Sequence, residues 1–171
     1  MIIEDGTGLE NSNSYVSVDF ANDYFSARGI SDWSGLEDET KENVLVRATD
    51  YIDNVFHWYG QKKTKTQALR FPRINLLDYE GTEIEGIPNC LKQAVCEGAL
   101  ILSEGTELYQ TSEKNGDITS ETIGELSFTY SKSTKESVAW NTLYDSINTK
   151  LRGLYKDSSK NRIICGKIER V

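Results

Sequence analysis

Between Asp38 and His57 the apolar residues Val44, Leu45, Ala48, Tyr51, Ile52, Val55 and Phe56 recur at spacings of one, three and four. That repeat lines up one stripe on an α-helix and leaves the opposite face polar. The acids Glu37, Asp38, Glu39 and Glu42 crowd its start, where the helix dipole favours negative charge, and Gly60 follows its end. The pattern predicts a core helix, and the rest of the chain has to cover its stripe.

Other segments carry weaker signals of the same kind. Gly6-Thr7-Gly8 and Asn11 to Ser14 supply turn residues in an N-terminal arm, followed by a short extended piece at Tyr15-Val16. Ser17 is placed to cap a helix from Val18 to about Ala27, with Phe20, Tyr24 and Ala27 on one face and Gly29 as its stop. From Gln61 to Gly86 no period is sustained, and Pro72 forbids a helix through Leu69-Arg70-Phe71, so this stretch reads as a long structured connection. Pro88 then opens a helix to about Ser103 that turns Leu91, Ala94, Val95, Ala99 and Leu102 inward. Its small residues Ala94, Gly98 and Ala99 permit close approach of another backbone.

Beyond Glu104 the period changes. Leu126, Phe128 and Tyr130 alternate strictly, which predicts a strand or hairpin. Val138, Trp140, Leu143, Tyr144, Ile147, Leu151 and Leu154 predict a last helix from about Lys135 to Tyr155, and residues 162–171 read as an extended tail. The expected fold is mainly α: a small bundle of about four helices with a β-hairpin or extended arm near residues 116–131 and an extended C-terminal tail. The expected organisation is one domain over residues 1–171, with a helical core and N-terminal arm at 1–105, an extended or hairpin insertion at 106–134, and a C-terminal helix and tail at 135–171.

Composition limits the partners. The longest apolar stretch, around Ala94 to Leu102, is interrupted by Glu97 and Gly98 and falls short of the roughly 20 residues a spanning helix needs. No membrane partner is expected. Met1 to Gly6 lacks the basic start and apolar run of a signal peptide, which predicts a chain that stays where it is made, with reduced thiols. Cys90, Cys96 and Cys165 have no CxxC spacing and read as buried free thiols. The net charge of -8 is unevenly spread: residues 1–60 carry -9, residues 61–75 carry +5 with no acid, residues 76–131 carry -9, and residues 132–171 carry +5. Alternating blocks suit electrostatic matching between neighbouring subunits, and a solvated mixed surface produces them equally well.

The chemistry-bearing residues do not assemble into a catalytic pattern. His57 is the single histidine, so neither a His-based metal cluster nor a Ser-His-Asp triad is expected, and it reads as structural or interfacial. Acidic pairs such as Asp50 with Asp53, or Glu83 with Glu85, arise by chance among 27 acids. Asp5-Gly6-Thr7-Gly8 lacks the preceding strand and the Lys-Ser/Thr ending of a phosphate loop and reads as a tight turn. No catalytic residue, cofactor site or metal site is expected. One segment suits a phosphate backbone. Lys62, Lys63, Lys65, Arg70 and Arg73 supply cations, with Phe71, Trp58 and Tyr59 available for stacking. A solvated or partner-facing loop is the alternative, and the two flanking blocks of -9 oppose binding of nucleic acid.

Taken in order, Glu4-Asp5-Gly6-Thr7-Gly8, Asn13 to Ser17, Tyr24, Arg28-Gly29, Trp33, Arg47 to Asp53, Gly60-Gln61, Gln67 to Arg73, Asp78, Gly81, Ile87-Pro88 and Leu91 to Ala94 form a series of motifs. Over about residues 3–100 this series resembles the head-to-tail adaptor (connector, head completion) family of tailed bacteriophages, some members of which are labelled DnaT-like ssDNA-binding proteins. The resemblance implies a structural protein of the virion neck, assembled in the host bacterial cytoplasm. Its implied partners are itself, in a ring of twelve subunits; the portal protein; the next tail or head-completion (stopper) protein; and double-stranded genomic DNA passing without sequence specificity. Under that reading the small residues of the third helix help form the ring contact. The loop residues Lys62, Lys63, Lys65, Arg70, Phe71 and Arg73 face a partner or DNA, and Lys160, Arg162, Lys167 and Arg170 of the C-terminal basic block dock on the portal. The alternative is a single-stranded DNA-binding protein of phage replication.

Overall fold

The Ser17 side chain accepts a hydrogen bond from the Phe20 amide at 3.1 Å and starts α1 (Val18–Ser26) where the sequence places the cap. A cap of this kind stabilises a helix by about 1 kcal/mol. Helix α2 (Asp38–Val55) buries Val44, Leu45, Ala48, Tyr51 and Ile52, the predicted stripe. It ends two residues earlier than the periodicity suggests. Phe56 leaves the helix at φ -95° and ψ 136°, which carries its ring against Trp58 and Tyr155, at centroid distances of 5.6 and 4.7 Å. Helix α3 (Asn89–Ser103) follows Pro88, and α4 (Asp145–Leu151) closes the bundle with Ile147 and Leu151 buried.

These elements belong to a computed structural model that describes residues 1–78, 80–108, 120–123, 126–129 and 145–156. The strands are short: β1 (Gln61–Lys62) pairs antiparallel with β2 (Arg73–Ile74), and β3 (Ser120–Ile123) pairs antiparallel with β4 (Leu126–Thr129). The second pair, with Ile123 opposite Leu126, is the hairpin that the alternation near residues 116–131 predicts. The fold is therefore mainly helical with a small antiparallel hairpin, as expected. The first part of the predicted last helix, residues 135–144, and the tail at 162–171 lie outside the described residues, as does Cys165.

Helix α3 packs on α2 and on α4, and its small residues make that possible. A methyl group on Gly98 would lie 3.3 Å from Ala48 Cβ and 3.5 Å from Ile147 Cδ1, so the glycine sets how closely three helices meet. Ala94, Gly98 and Ala99 are buried within the chain. The expectation that they help form a contact with a second subunit is corrected on that ground: an intramolecular neighbour already covers them. Helix α1 is joined to α3 by the Tyr24 hydroxyl, which donates to Glu97. Both described cysteines are free; Cys96 is buried and burial pushes its thiol up to about 12, while Cys90 is half-buried.

The N-terminal arm has no helix or ladder of its own. Glu4 is buried, and its carboxylate accepts from the amides of Gly6, Gly8 and Leu9 and from the Ser12 hydroxyl, at 2.8 to 3.0 Å. Four donors converging on one anion shape the turn and compensate its removal from water. The Glu4 amide donates to the Ser14 carbonyl at 2.8 Å, which brings the arm back beside Tyr15 and the core.

Candidate nucleic-acid interface

The basic segment of residues 61–75 leaves the end of α2 at a fixed place. The His57 carbonyl accepts from the Lys156 amide at 2.7 Å, and the Tyr59 amide donates to the Leu154 carbonyl at 2.9 Å, so the chain after α2 is held by the chain after α4. Gly60 follows at φ +68°, and a Cβ there would lie 2.6 Å from the Ile74 carbonyl oxygen. Only glycine permits both the left-handed turn and that approach. β1 and β2 then pair Gln61 with Ile74 and Lys62 with Arg73, closing the segment into a ribbon-based loop.

Inside the loop the organiser is Gln67, which is buried. Its Oε1 accepts from the Thr64 amide at 2.9 Å, and its Nε2 donates to the carbonyls of Leu69 and Pro72 at 2.9 and 3.1 Å. The Thr64 hydroxyl accepts from the Gln67 amide at 3.1 Å. The arm braces the outside: the Ala68 amide donates to the Leu9 carbonyl and Lys63 Nζ to the Gly6 carbonyl, both at 2.9 Å. At the base, the Tyr15 hydroxyl donates to Asp53 at 2.6 Å and accepts from the Phe71 amide at 3.0 Å, while the Arg70 amide donates to the other Asp53 oxygen at 2.8 Å. Burial raises the Asp53 carboxyl above its ordinary range, opposed by the Tyr15 and Arg70 hydrogen bonds, and burial beside the Asp53 charge holds the Tyr15 phenol protonated.

On this scaffold the five cations fall into two groups. Lys62 Nζ donates to the Gln67 carbonyl at 3.0 Å, Lys63 Nζ holds the Gly6 carbonyl, and the Arg73 guanidinium donates to the carbonyls of Tyr59, Gly60 and Arg70. Lys65 and Arg70 are exposed, and their side chains have no hydrogen-bond partner among the described residues. None of the five is in an ion pair with a carboxylate among those residues. Phe71 is corrected as a contact. It is 0% exposed and packs edge-to-face on Tyr15 and on Trp58, so no base can reach its ring. Trp58 is buried as well, whereas Tyr59 is 44% exposed and keeps the stacking role open to it. His57, two residues past the end of α2, is exposed.

Gln67, Tyr15, Asp53 and Glu4 escaped the reading of the sequence as organisers of this surface, because nothing in composition separates a buried polar residue from a solvated one. The acidic pair Asp50 and Asp53 is divided between solvent and core. Elsewhere a cleft of about 530 Å³ is lined by Met1, Asn13, Glu42, Asn43, Val46 and Arg47, none of them among the candidate site residues read from the sequence. Among the described residues no group of three His, Cys, Asp or Glu side chains is arranged to hold a metal ion.

No curated protein and no solved structure matches the chain. One family model matches it over residues 1–171, and the description of that family is a single-stranded DNA-binding one. This overturns the head-to-tail adaptor reading: the match runs through the whole chain, beyond the motifs of residues 3–100, and the description names neither a connector nor a virion part. Lys160, Arg162, Lys167 and Arg170, to which that reading gave a portal-docking role, lie outside the described residues. The chain belongs to the family described as "Putative DnaT-like ssDNA binding protein".

Proposed function

We propose that the chain binds single-stranded DNA, without sequence specificity, through the loop from Lys62 to Arg73. One observation carries the reading: five cations stand on a loop of fixed shape with no carboxylate paired to any of them among the described residues. Lys65 and Arg70 are the two whose side chains have no hydrogen-bond partner among the described residues. The overall charge of -8 does not decide the matter. At physiological salt the screening length is about 8 Å, so a phosphate on the loop responds mainly to the charges nearest it. The acid at the loop's base, Asp53, is buried and already accepts two hydrogen bonds.

The test is a salt-titrated anisotropy measurement with labelled oligothymidine. Wild type is expected to bind with a dissociation constant in the micromolar range, falling within the span of roughly 10⁻⁴ to 10⁻⁶ M typical of sequence-independent binding. Replacing both Lys65→Glu and Arg70→Glu should lower the slope of log K against log salt by at least about 1.4, from about 0.7 per phosphate contact on a single strand. Exposed as these residues are, the melting temperature should stay put. A wild-type protein without measurable binding at low salt, or a double variant with unchanged slope, would sink the proposal.

A further inference from the structure

Among the described residues five large apolar side chains are exposed, and three of them adjoin the basic loop: Tyr59 at 44%, Ile74 at 41% and Leu77 at 55%. The folding of the chain brings the first two together. The positive φ of Gly60 and its approach to the Ile74 carbonyl press the backbone after Tyr59 onto β2, and Arg73 ties the Tyr59 carbonyl to the same strand. Tyr59 is thus fixed through its own amide, bonded to Leu154, and through its carbonyl, while its ring stays in solvent. An exposed aromatic ring on an immobilised backbone loses little freedom when something stacks on it.

We infer that Tyr59, exposed beside the β1–β2 ribbon, is a platform for unstacked nucleobases and is what makes the loop select a single strand over a duplex; the inference rests on the proposed function above. The charges around the platform fix how a strand would lie. Where the Tyr59 carbonyl is held stand Arg73 and its strand partner Lys62, whereas past β2 the Glu83 carboxylate accepts from the Asn75 amide at 3.1 Å and Glu83 bridges Leu77. Phosphates are drawn to the cations and repelled from the carboxylate, which leaves the exposed Tyr59 ring to the bases. A protein partner with an apolar patch would be indifferent to that asymmetry unless it were itself anionic on one edge. In a duplex the base faces are covered by their neighbours in the stack, so the platform gains nothing from it; in a single strand each base offers a π-face whatever its identity.

The experiment compares an oligothymidine with an abasic deoxyribose-phosphate strand of the same length, on wild type, Tyr59→Ala and Tyr59→Phe. Wild type is expected to bind the abasic strand about 5- to 150-fold more weakly, the range of one base stacked on one aromatic ring. Tyr59→Ala should bind the two strands alike and keep the wild-type salt slope, while Tyr59→Phe behaves as wild type. A wild type that does not distinguish the strands overturns the platform while leaving phosphate binding standing. So does a Tyr59→Ala that loses the same factor on both. Absence of binding to either strand overturns the platform together with the function it rests on.

Discussion

The arm of residues 3–14 and the loop of residues 60–74 are both irregular, and each is wound about one buried polar side chain, yet they end with opposite properties. Glu4 can only accept. All four of its hydrogen bonds come from donors, and a negative charge is enclosed by the segment it shapes. Gln67 accepts one bond and donates two, so it satisfies amide and carbonyl groups together and brings no charge inside. The loop is left to carry its formal charge on the surface. The difference teaches that in segments without regular structure, one residue's inventory of donors and acceptors decides both the shape of the backbone and where the charge resides.

Removing the organiser of the loop should have the largest effect. Gln67→Leu leaves the Thr64 amide and the Leu69 carbonyl without that partner, while the Pro72 carbonyl keeps the Lys63 amide; at about 1 to 3 kcal/mol for each buried unpaired group, a loss of about 3 kcal/mol is expected. For a chain of this length that is a fall in melting temperature of roughly 6 to 12 °C, readable by calorimetry. It should be accompanied by weaker oligonucleotide binding, and a variant that melts early but binds as well as wild type would break the link between loop shape and function.

The junction of the two regions comes next. Tyr15→Phe leaves the Phe71 amide and one Asp53 oxygen without their partner, which should cost about 2 kcal/mol at neutral pH. The pH dependence sharpens this. The folded chain keeps the Tyr15 proton to higher pH than the unfolded chain, whose phenols titrate near 10. Above about pH 10 the unfolded state therefore binds fewer protons than the folded one, and stability contributed by Tyr15 falls as pH rises, by about 1.4 kcal/mol per unit. Denaturant titrations at pH 9 and pH 11 should show the gap between wild type and Tyr15→Phe narrowing; a gap independent of pH would mean that the phenol is not held in its neutral form.

The smallest effect belongs to the arm. Glu4→Gln keeps one acceptor oxygen and replaces the other by a donor that faces donors, so about 1 to 2 kcal/mol should be lost. Because the arm's hydrogen bonds to the loop are made through the carbonyls of Gly6, Gly8 and Leu9 and do not involve the Glu4 side chain, affinity for oligothymidine should change by less than the loss caused by Gln67→Leu. Equal losses in binding would erase the distinction between the two segments.

What could be read from the sequence follows the same division. Val44, Leu45, Ala48, Tyr51 and Ile52 announce α2 because a helix buries residues by period, and Ser17 and Pro88 announce helix starts because they act on their own backbone neighbours. The end of α2 was missed for the opposite reason: Phe56 fits the period but departs from it to reach Tyr155, about a hundred residues away in the chain. The basic loop was legible as charge. Its internal arrangement was not, since burial of Phe71 and Gln67 depends on contacts with Tyr15 and with the arm, and Arg73 looks in the sequence like any other cation.

Arg73 changes how such a segment should be counted. A guanidinium that already donates to the carbonyls of Tyr59, Gly60 and Arg70 must release them to grip a phosphate with the same atoms, and Lys62 and Lys63 face smaller versions of that exchange. Formal charge is therefore an upper bound on the loop's valence toward a polyanion. Five cations acting at full strength would give a salt exponent of about 3.5 on a single strand, and the two unengaged ones about 1.4. The exponent of the wild-type protein reads out how many carbonyls the loop gives up when it closes on DNA, and so how much of its own framework is exchanged for its ligand.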